Sequence, residues 1–329
     1  MTRKIFLLVP QGPTPDVGSV IKDLGIVGPV AVVRAGYQER ESDDEALVTA
    51  LGVPAVNLTL HARGNDVFRN AGEFATAYQA RQQRLRHMQG LYRTRLEGIE
   101  EAAKRISLRY VEPDLLAAEE RVSVDQYRYM DRDHIDRCQA VRAQFDTAWP
   151  APDVPLIAMH RQAVRELIAP TEALVITGGH VASLLNRLQL FDVLGAAGGK
   201  PIIAWSAGAM VLSERIVLFH DYPPYGSDIA QVLDAGFGLV PGFVVLPDAR
   251  RRINLEARSG IQRFARRMAP STCVAMDHGA RMVFDEDLQG TAALASADAT
   301  RLTTTGDAER NWSGALSRFS TPFFPTVHV

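Results

Sequence analysis

In the run Ile202-Ile203-Ala204-Trp205-Ser206-Ala207-Gly208-Ala209 a short apolar stretch ends on a serine flanked by small residues, and a helical pattern, Met210 to Glu214, follows at once. This is how a chain is written when it must turn sharply from a buried strand into a helix. Ala207, Gly208 and Ala209 leave room for the turn, and the Ser206 hydroxyl is left at its tip. A hydroxyl held above a sheet edge, beside a helix N-terminus, can serve as a nucleophile. Serine hydrolysis then needs a base for the Oγ proton and donors for the oxyanion. The apolar run Ala173 to Thr177 ends in Gly178-Gly179. In a parallel sheet both strand ends meet at one edge, where ligands bind. A glycine pair lets backbone N–H groups approach a developing oxyanion closely, because no Cβ interferes. Gly178, Gly179 and Ala207 are therefore the candidate oxyanion donors.

These residues need a frame to hold them. Ile5–Val9 reads as a first buried strand. A helix over Val20–Leu24 has Ser19 placed to cap it. Pro29–Val33 is a second strand, Asp43–Leu51 a helix with an acidic first turn, and Ala55–Leu58 a third strand. Short apolar runs alternating with helices predict a mostly parallel sheet covered on both faces, a three-layer α/β sandwich. The pattern resumes near Val154 with a helix over Gln162–Ile168, the strand before Gly178 and a helix over Val181–Leu190. Past Ser206 come a strand over Phe243–Leu246, a helix over Asn254–Ala269 and a strand over Val274–Met276. A hairpin of Arg281–Phe284 with Gly290–Leu294 follows, and residues after about Thr305 read as loosely structured. The cluster Gly195 to Lys200 has the wrong spacing for a phosphate loop and reads as a helix stop and turn.

Between Asp66 and Arg142 glycine and proline become scarce, and Phe74–Arg93, Arg95–Ile106 and Pro113–Arg121 carry helical period. We read a single α/β domain, 1–329, with a helical insertion over 66–142. Its candidate roles are a solvated helical face, a lid, or an arm for a homodimer. Arg81, Arg84, Arg86, Arg93 and Arg95 are a weak RNA signal, since glutamates follow closely.

The totals exclude several classes. With 47% hydrophobic and 22% charged residues and a formal net charge of −2, the chain has no general attraction to phosphate or to a membrane surface. No apolar run approaches the length that crosses a bilayer. The apolar start is too short for a signal peptide, so a cytoplasmic location is expected. Cys138 and Cys273 have no metal or redox spacing and are expected as reduced thiols, although a single disulfide is compatible with their number. Nothing calls for a metal, nucleotide, flavin or other cofactor.

Four segments taken in order resemble peptidase family S51, which includes dipeptidase E and cyanophycinase. They are Ile176-Thr177-Gly178-Gly179, Ile203 to Ala209, Gly236-Phe237-Gly238-Leu239-Val240-Pro241, and Ala275-Met276-Asp277-His278-Gly279-Ala280. The resemblance spans about Val154 to Leu294 plus the first strands. It implies a class I glutamine amidotransferase-like (flavodoxin-like) fold, serine in place of cysteine at the turn, and a small peptide or amide as substrate. The helical insertion is not part of the family's usual pattern.

Departures from that pattern decide what is expected of the site. The family places its catalytic histidine after the Gly-Leu-Val-Pro segment, and here Asp248 stands in that position. His180 follows the glycine pair where the family usually carries Asn or Asp, and the family's terminal Asp-Glu becomes Asp277-His278. In one reading the triad is rebuilt, with His180, His220 or His278 as base and Asp221, Asp248 or Asp277 orienting it. Asp221 lies about where dipeptidase E carries its triad acid. In the other reading the base is lost and the chain is a silent homologue that binds a small peptide or acidic ligand. An ordinary carboxylate is about 2.6 pKa units less basic than imidazole, equivalent to about 3.5 kcal/mol, so hydrolysis calls for a histidine. Arg250 and Arg251 are candidates to pair with a substrate carboxylate. A scaffold whose Arg-rich helices bind a partner is a third class. A cysteine-dependent glutaminase is disfavoured, because neither cysteine has a strand-turn-helix context.

Overall fold

The computed structural model describes residues 3–10, 16–219, 229–277, 279–285, 293–296 and 298–310. Strand β1 (Lys4–Leu8) leads through α1 (Val17–Asp23) to β2 (Val30–Val33), and α2 (Glu45–Leu51) leads to β3 (Ala55–Asn57). Three long or mid-length helices follow, α3 (Leu60–Asn70), α4 (Gly72–Ser107) and α5 (Pro113–Ala148), and then α6 (Pro155–Ile168). The chain continues with β4 (Ala173–Ile176), α7 (Val181–Leu190), α8 (Val193–Ala197), β5 (Ile202–Trp205) and α9 (Ala207–Leu212). Beyond lie β6 (Arg215–Leu218), β7 (Gln231–Ala235), β8 (Phe243–Pro247), α10 (Arg258–Met268) and β9 (Thr272–Met276). The last elements are β10 (Arg281–Asp285), β11 (Ala293–Ala295), β12 (Ala299–Leu302) and β13 (Ala308–Glu309).

Three sheets form among the described residues: a seven-stranded one ordered β11-β10-β1-β5-β4-β2-β3, a four-stranded one ordered β13-β12-β9-β8, and the pair β6-β7. The contiguous strands β1, β5, β4, β2 and β3 run parallel, and the inner three, β5, β4 and β2, are the wholly apolar runs expected of strands buried on both faces. The expectation of a mostly parallel sheet is corrected at the edges. β10 and β11 return antiparallel to β1, and β12 and β13 antiparallel to β9, so both larger sheets are mixed. Alternation along the strands divides the core. Leu8, Val30, Val32, Val175, Ile203 and Trp205 meet Val17, Val20, Ile21 and Leu51 of α1 and α2. Leu7, Ala31, Val33, Leu174, Ile176 and Ala204 face the helices on the opposite side.

Several local expectations change. Ser19 does not cap α1: it lies inside the helix, its hydroxyl donating to the Asp16 carbonyl at 2.7 Å, and Asp16 holds the cap position. The two helices expected between Phe74 and Ile106 are one, because nothing between Arg93 and Arg95 interrupts the backbone ladder. The turn at Gly198 (φ +54) is preceded by the short helix α8. A strand, β13, stands within the segment after Thr305.

Helices α4 and α5 form an antiparallel hairpin, shown by the crossed pairs Tyr92 with Asp131 (2.7 Å) and Tyr127 with Glu100. Its root is polar yet buried. Asp131, 1% exposed, takes charge-assisted bonds from Arg267 of α10 at 2.7 Å through both guanidinium Nε and Nη2. Tyr92 Oη accepts from the Val232 N–H of β7 at 3.1 Å, Arg142 binds Asp234, and His134 stacks on Tyr92 with centroids 4.3 Å apart. Of the arginines considered for RNA, Arg81 lies over Tyr78 and Phe145 at 4.2 and 4.4 Å, and Arg93 pairs with Glu97 on its own helix. Removing one partner of a buried ion pair leaves an uncompensated charge, which typically costs about 3–5 kcal/mol. Asp131→Asn should lower the unfolding free energy in urea by that order, and Asp131→Leu with Arg267→Met should recover most of the loss. Equal losses in the single and double variants would show that the pair itself is not what holds the hairpin.

Candidate functional site

The site begins where β5 meets α9. Ser206 sits between them at φ 51°, ψ −125°, a conformation open mainly to glycine and avoided by residues with a Cβ. The Ser206 carbonyl accepts the Met210 N–H at 3.1 Å, so the turn runs straight into the helix. The next residue but one must be glycine. A Cβ on Gly208 would lie 2.3 Å from the Ile176 carbonyl oxygen and 2.7 Å from that of Thr177, both at the end of β4.

The same crowding joins this turn to the glycine pair. A Cβ on Gly178 would lie 2.8 Å from Ser206 Cβ and 3.3 Å from Ser206 Oγ, so the backbone of Gly178 is packed directly on the serine. Gly179 has φ +104°, and a Cβ there would lie 2.3 Å from the carbonyl carbon of Gly36. Gly36 is a site-shaping residue that sequence reasoning missed. Its signal is the same as that of Gly178: a glycine two or three positions past a buried apolar strand, here Val30–Val33. The structure therefore brings Ser206, Gly178, Gly179 and Gly36 together at the carboxyl edge of β2, β4 and β5, with Ala207 opening α9 beside them. Ser206 is half-buried, and among the described residues no side chain is hydrogen-bonded to its Oγ.

His180 follows immediately, as the N-cap of α7. Its backbone N–H donates to the Gly36 carbonyl at 2.7 Å, and its exposed ring accepts from the Ser183 N–H at 3.2 Å. His220, Asp221 and His278 lie outside the described residues.

A second group assembles at the ends of β8 and β9. These strands are parallel, with Pro247 opposite Met276, so the residue after each, Asp248 and Asp277, stands at neighbouring strand ends. Asp248 adopts a left-handed conformation (φ 56°, ψ 43°) and its N–H donates to the Met276 carbonyl at 3.0 Å. Asp277 is 7% exposed; Oδ1 accepts the Arg250 N–H at 3.0 Å, and Oδ2 lies 3.6 Å from Arg250 Nε. Burial pushes the Asp277 carboxyl above the ordinary range, the Arg250 N–H and guanidinium oppose this, and the Asp248 charge adds to it. Arg251 Nε stands 3.7 Å from Asp248 Oδ1. The two arginines offered by the sequence for substrate binding thus face the two carboxylates in the resting protein.

Both cysteines are free and buried, and burial pushes each thiol up to about 12, so neither offers a thiolate. Among the described residues no group of three or more His, Cys, Asp or Glu is arranged to hold a metal ion.

A glycine-only backbone conformation imposed on a serine, between a buried parallel strand and a helix, is the turn on which α/β hydrolases carry a nucleophile. Residues 131–289, a stretch that holds Gly178, Ser206, Asp248 and Asp277, match the sequence model of peptidase family S51. Among solved structures, a peptidase from an acI-B1 actinobacterium aligns at 14% identity over 95% of this chain and 96% of its own, with a TM-score of 0.48. A candidate peptidase E protein from Listeria monocytogenes EGD-e aligns at 11% identity over 92% of this chain and 100% of its own, with a TM-score of 0.42. No curated protein sequence matches the chain significantly.

Two outcomes follow from the geometry. Ser206→Gly should be more stable than Ser206→Ala by about 1–3 kcal/mol in chemical denaturation, because alanine keeps the Cβ that the positive φ penalises. Equal stabilities would mean that the turn relaxes. The second concerns Asp277, whose folded value lies above the unfolded one. Its favourable contribution is present below the ordinary aspartate value of 3.8 and is lost as pH rises through the raised folded value. Asp277→Asn, which cannot ionise, should therefore gain stability relative to wild type as pH is raised through that window. A difference independent of pH contradicts the assignment.

Proposed function

We propose that this protein is a serine-type hydrolase that cleaves a small peptide or amide bond through an acyl-Ser206 intermediate, on a class I glutamine amidotransferase-like fold. The observation that carries the reading is the strained Ser206 turn packed against the Gly178 backbone. Such strain persists where the surrounding structure over-determines it, and it is concentrated at active sites. The match of residues 131–289 to peptidase family S51 supports a hydrolytic role.

In the proposed reaction Ser206 Oγ attacks the substrate carbonyl while a base takes its proton. The oxyanion that forms is received by N–H groups of Gly178, Gly179 and Ala207, each such donor being worth roughly 3–4 kcal/mol in a transition state. The C–N bond then breaks, the leaving amine takes the proton held by the base, and water hydrolyses the ester. His220 and His278 are the bases this reading favours, with Asp221 as the orienting acid. Arg250 and Arg251 receive a substrate carboxylate. A second reading, a silent relative that binds a peptide without cleaving it, is favoured by one specific observation: Asp248 stands where the family resemblance expects the catalytic histidine.

A fluorophosphonate probe separates the two. Folded wild-type protein should take one label and Ser206→Ala none, with a loss of at least about a thousandfold, as expected when a nucleophile is removed. Wild-type protein that stays unlabelled while still binding small peptides in calorimetry would establish the binding reading.

A further inference from the structure

The hydrogen bonds around His180 fix which ring nitrogen carries its proton. Nδ1 lies 3.2 Å from the backbone N of Ser183 and 3.1 Å from Ser183 Oγ. A backbone N–H can only donate, so Nδ1 presents a bare lone pair and is an acceptor. The Ser183 hydroxyl fits the same polarity. It receives the Gln38 Nε2–H at 2.8 Å, which leaves its own proton free to point at Nδ1. The neutral ring therefore carries its hydrogen on Nε2, which has no lone pair with which to take a proton.

Gln38 adds a second, independent observation. It is held at φ 56°, ψ −121°, another glycine-type conformation, inside the turn Ala35–Arg40. That turn also supplies Gly36, which is pressed on Gly178 and Gly179 and whose carbonyl accepts the His180 N–H. One strained turn thus shapes the glycine edge beside Ser206 and, through Ser183 Oγ, supports the polarity that the Ser183 N–H gives the His180 ring. The N-terminus of α7 is not itself the feature in question, because its Ser183 N–H is already engaged by Nδ1. The ring is exposed, and Nε2 has no hydrogen-bond partner among the described residues.

We propose that His180 is a substrate-positioning donor whose Nε2–H binds an acceptor oxygen, carbonyl or carboxylate, of the peptide or amide processed at Ser206, and that it does not take the Ser206 proton. This rests on the hydrolase reading of Ser206. It assigns His180 a role different from the base that its identity alone suggests.

The test uses the full chain with His180→Gln and His180→Ala. Glutamine places an N–H donor near the position of Nε2 but cannot act as a base. Nitrogen NMR of histidine-labelled protein should show the His180 proton on Nε2, and both variants should keep fluorophosphonate labelling of Ser206 within about tenfold of wild type. Unblocked dipeptides and their C-terminal amides are then used to protect Ser206 from the probe. The half-protecting concentration should rise about tenfold in His180→Ala and return to near the wild-type value in His180→Gln. A rise confined to the unblocked peptides assigns the oxygen to a carboxylate, and a rise for both assigns it to a carbonyl. A proton found on Nδ1, labelling abolished in both variants, or protection that is equal or absent in wild type and His180→Ala overturns the proposal. An unlabelled wild type overturns the hydrolase reading itself, a result distinct from a labelled wild type whose serine depends on His180.

Discussion

The packing of Gly178 directly on Ser206 sets the terms for the carboxyl edge of the sheet. β4 and β5 are adjacent and parallel; β4 turns into α7 across Thr177 to His180, and β5 turns into α9 across Ser206 alone. With Gly178 packed 2.8 Å from the serine as measured to a built Cβ, the Ser206 turn has no room to relax into an ordinary conformation. The strain is held by burial on every side: Ile202 to Trp205 and Ala207 to Leu212 are all within the core. A penalty of about 1–3 kcal/mol at one residue is small against that much buried apolar surface. The result is a half-buried hydroxyl at a fixed place, packed beside the Gly178 backbone.

The helical hairpin is tied to this frame by charge. Asp131, Arg267, Tyr92, Arg142 and Asp234 link α4 and α5 to α10 and β7 through bonds that are fully buried at Asp131–Arg267 and partly buried at Arg142–Asp234. A desolvated ion pair is poor evidence for extra stability, but it is specific, because any other docking leaves a buried charge unmatched. α10 in turn lies between β8 and β9 in the chain, so the helix that receives the hairpin also connects the two strands ending in Asp248 and Asp277. The composition that made α4 and α5 look like a solvated face is partly internal, with Arg81 folded over aromatic rings.

The central strands were legible because strands buried on both faces are written as unbroken apolar runs, as at Val30–Val33, Ala173–Ile176 and Ile202–Trp205. The Ser206 turn was legible because only small residues permit it. β6 was not, since it follows α9 after only Ser213 and Glu214 and opens on Arg215, a charged residue that is 2% exposed and donates to the Met268 carbonyl at 2.6 Å. No periodicity marks a buried arginine whose partner is fifty residues away. The left-handed turn at Asp248 escaped for a similar reason: it depends on the pairing of β8 with β9, which is tertiary. The polarity of His180 was within reach, because Ser183 stands at the N-cap spacing and its N–H can point only one way.

The carboxylate cluster bears on what a substrate would meet. An imidazole at the Asp248 position could pair with Asp277; burial already makes Asp277 resist ionisation, and the Asp248 carboxylate adds a smaller like-charge contribution. The cluster balances itself through Arg250 and Arg251, but at separations of 3.6 and 3.7 Å and with side chains 54% and 83% exposed. Ion pairs that open to water are worth about 1 kcal/mol or less. Arg251 can therefore leave Asp248 at small cost, whereas Arg250 leaving Asp277 strands a buried carboxylate. Of the two arginines, Arg251 is thus the one its aspartate holds loosely, while Arg250 is fixed to Asp277 by its backbone N–H as well.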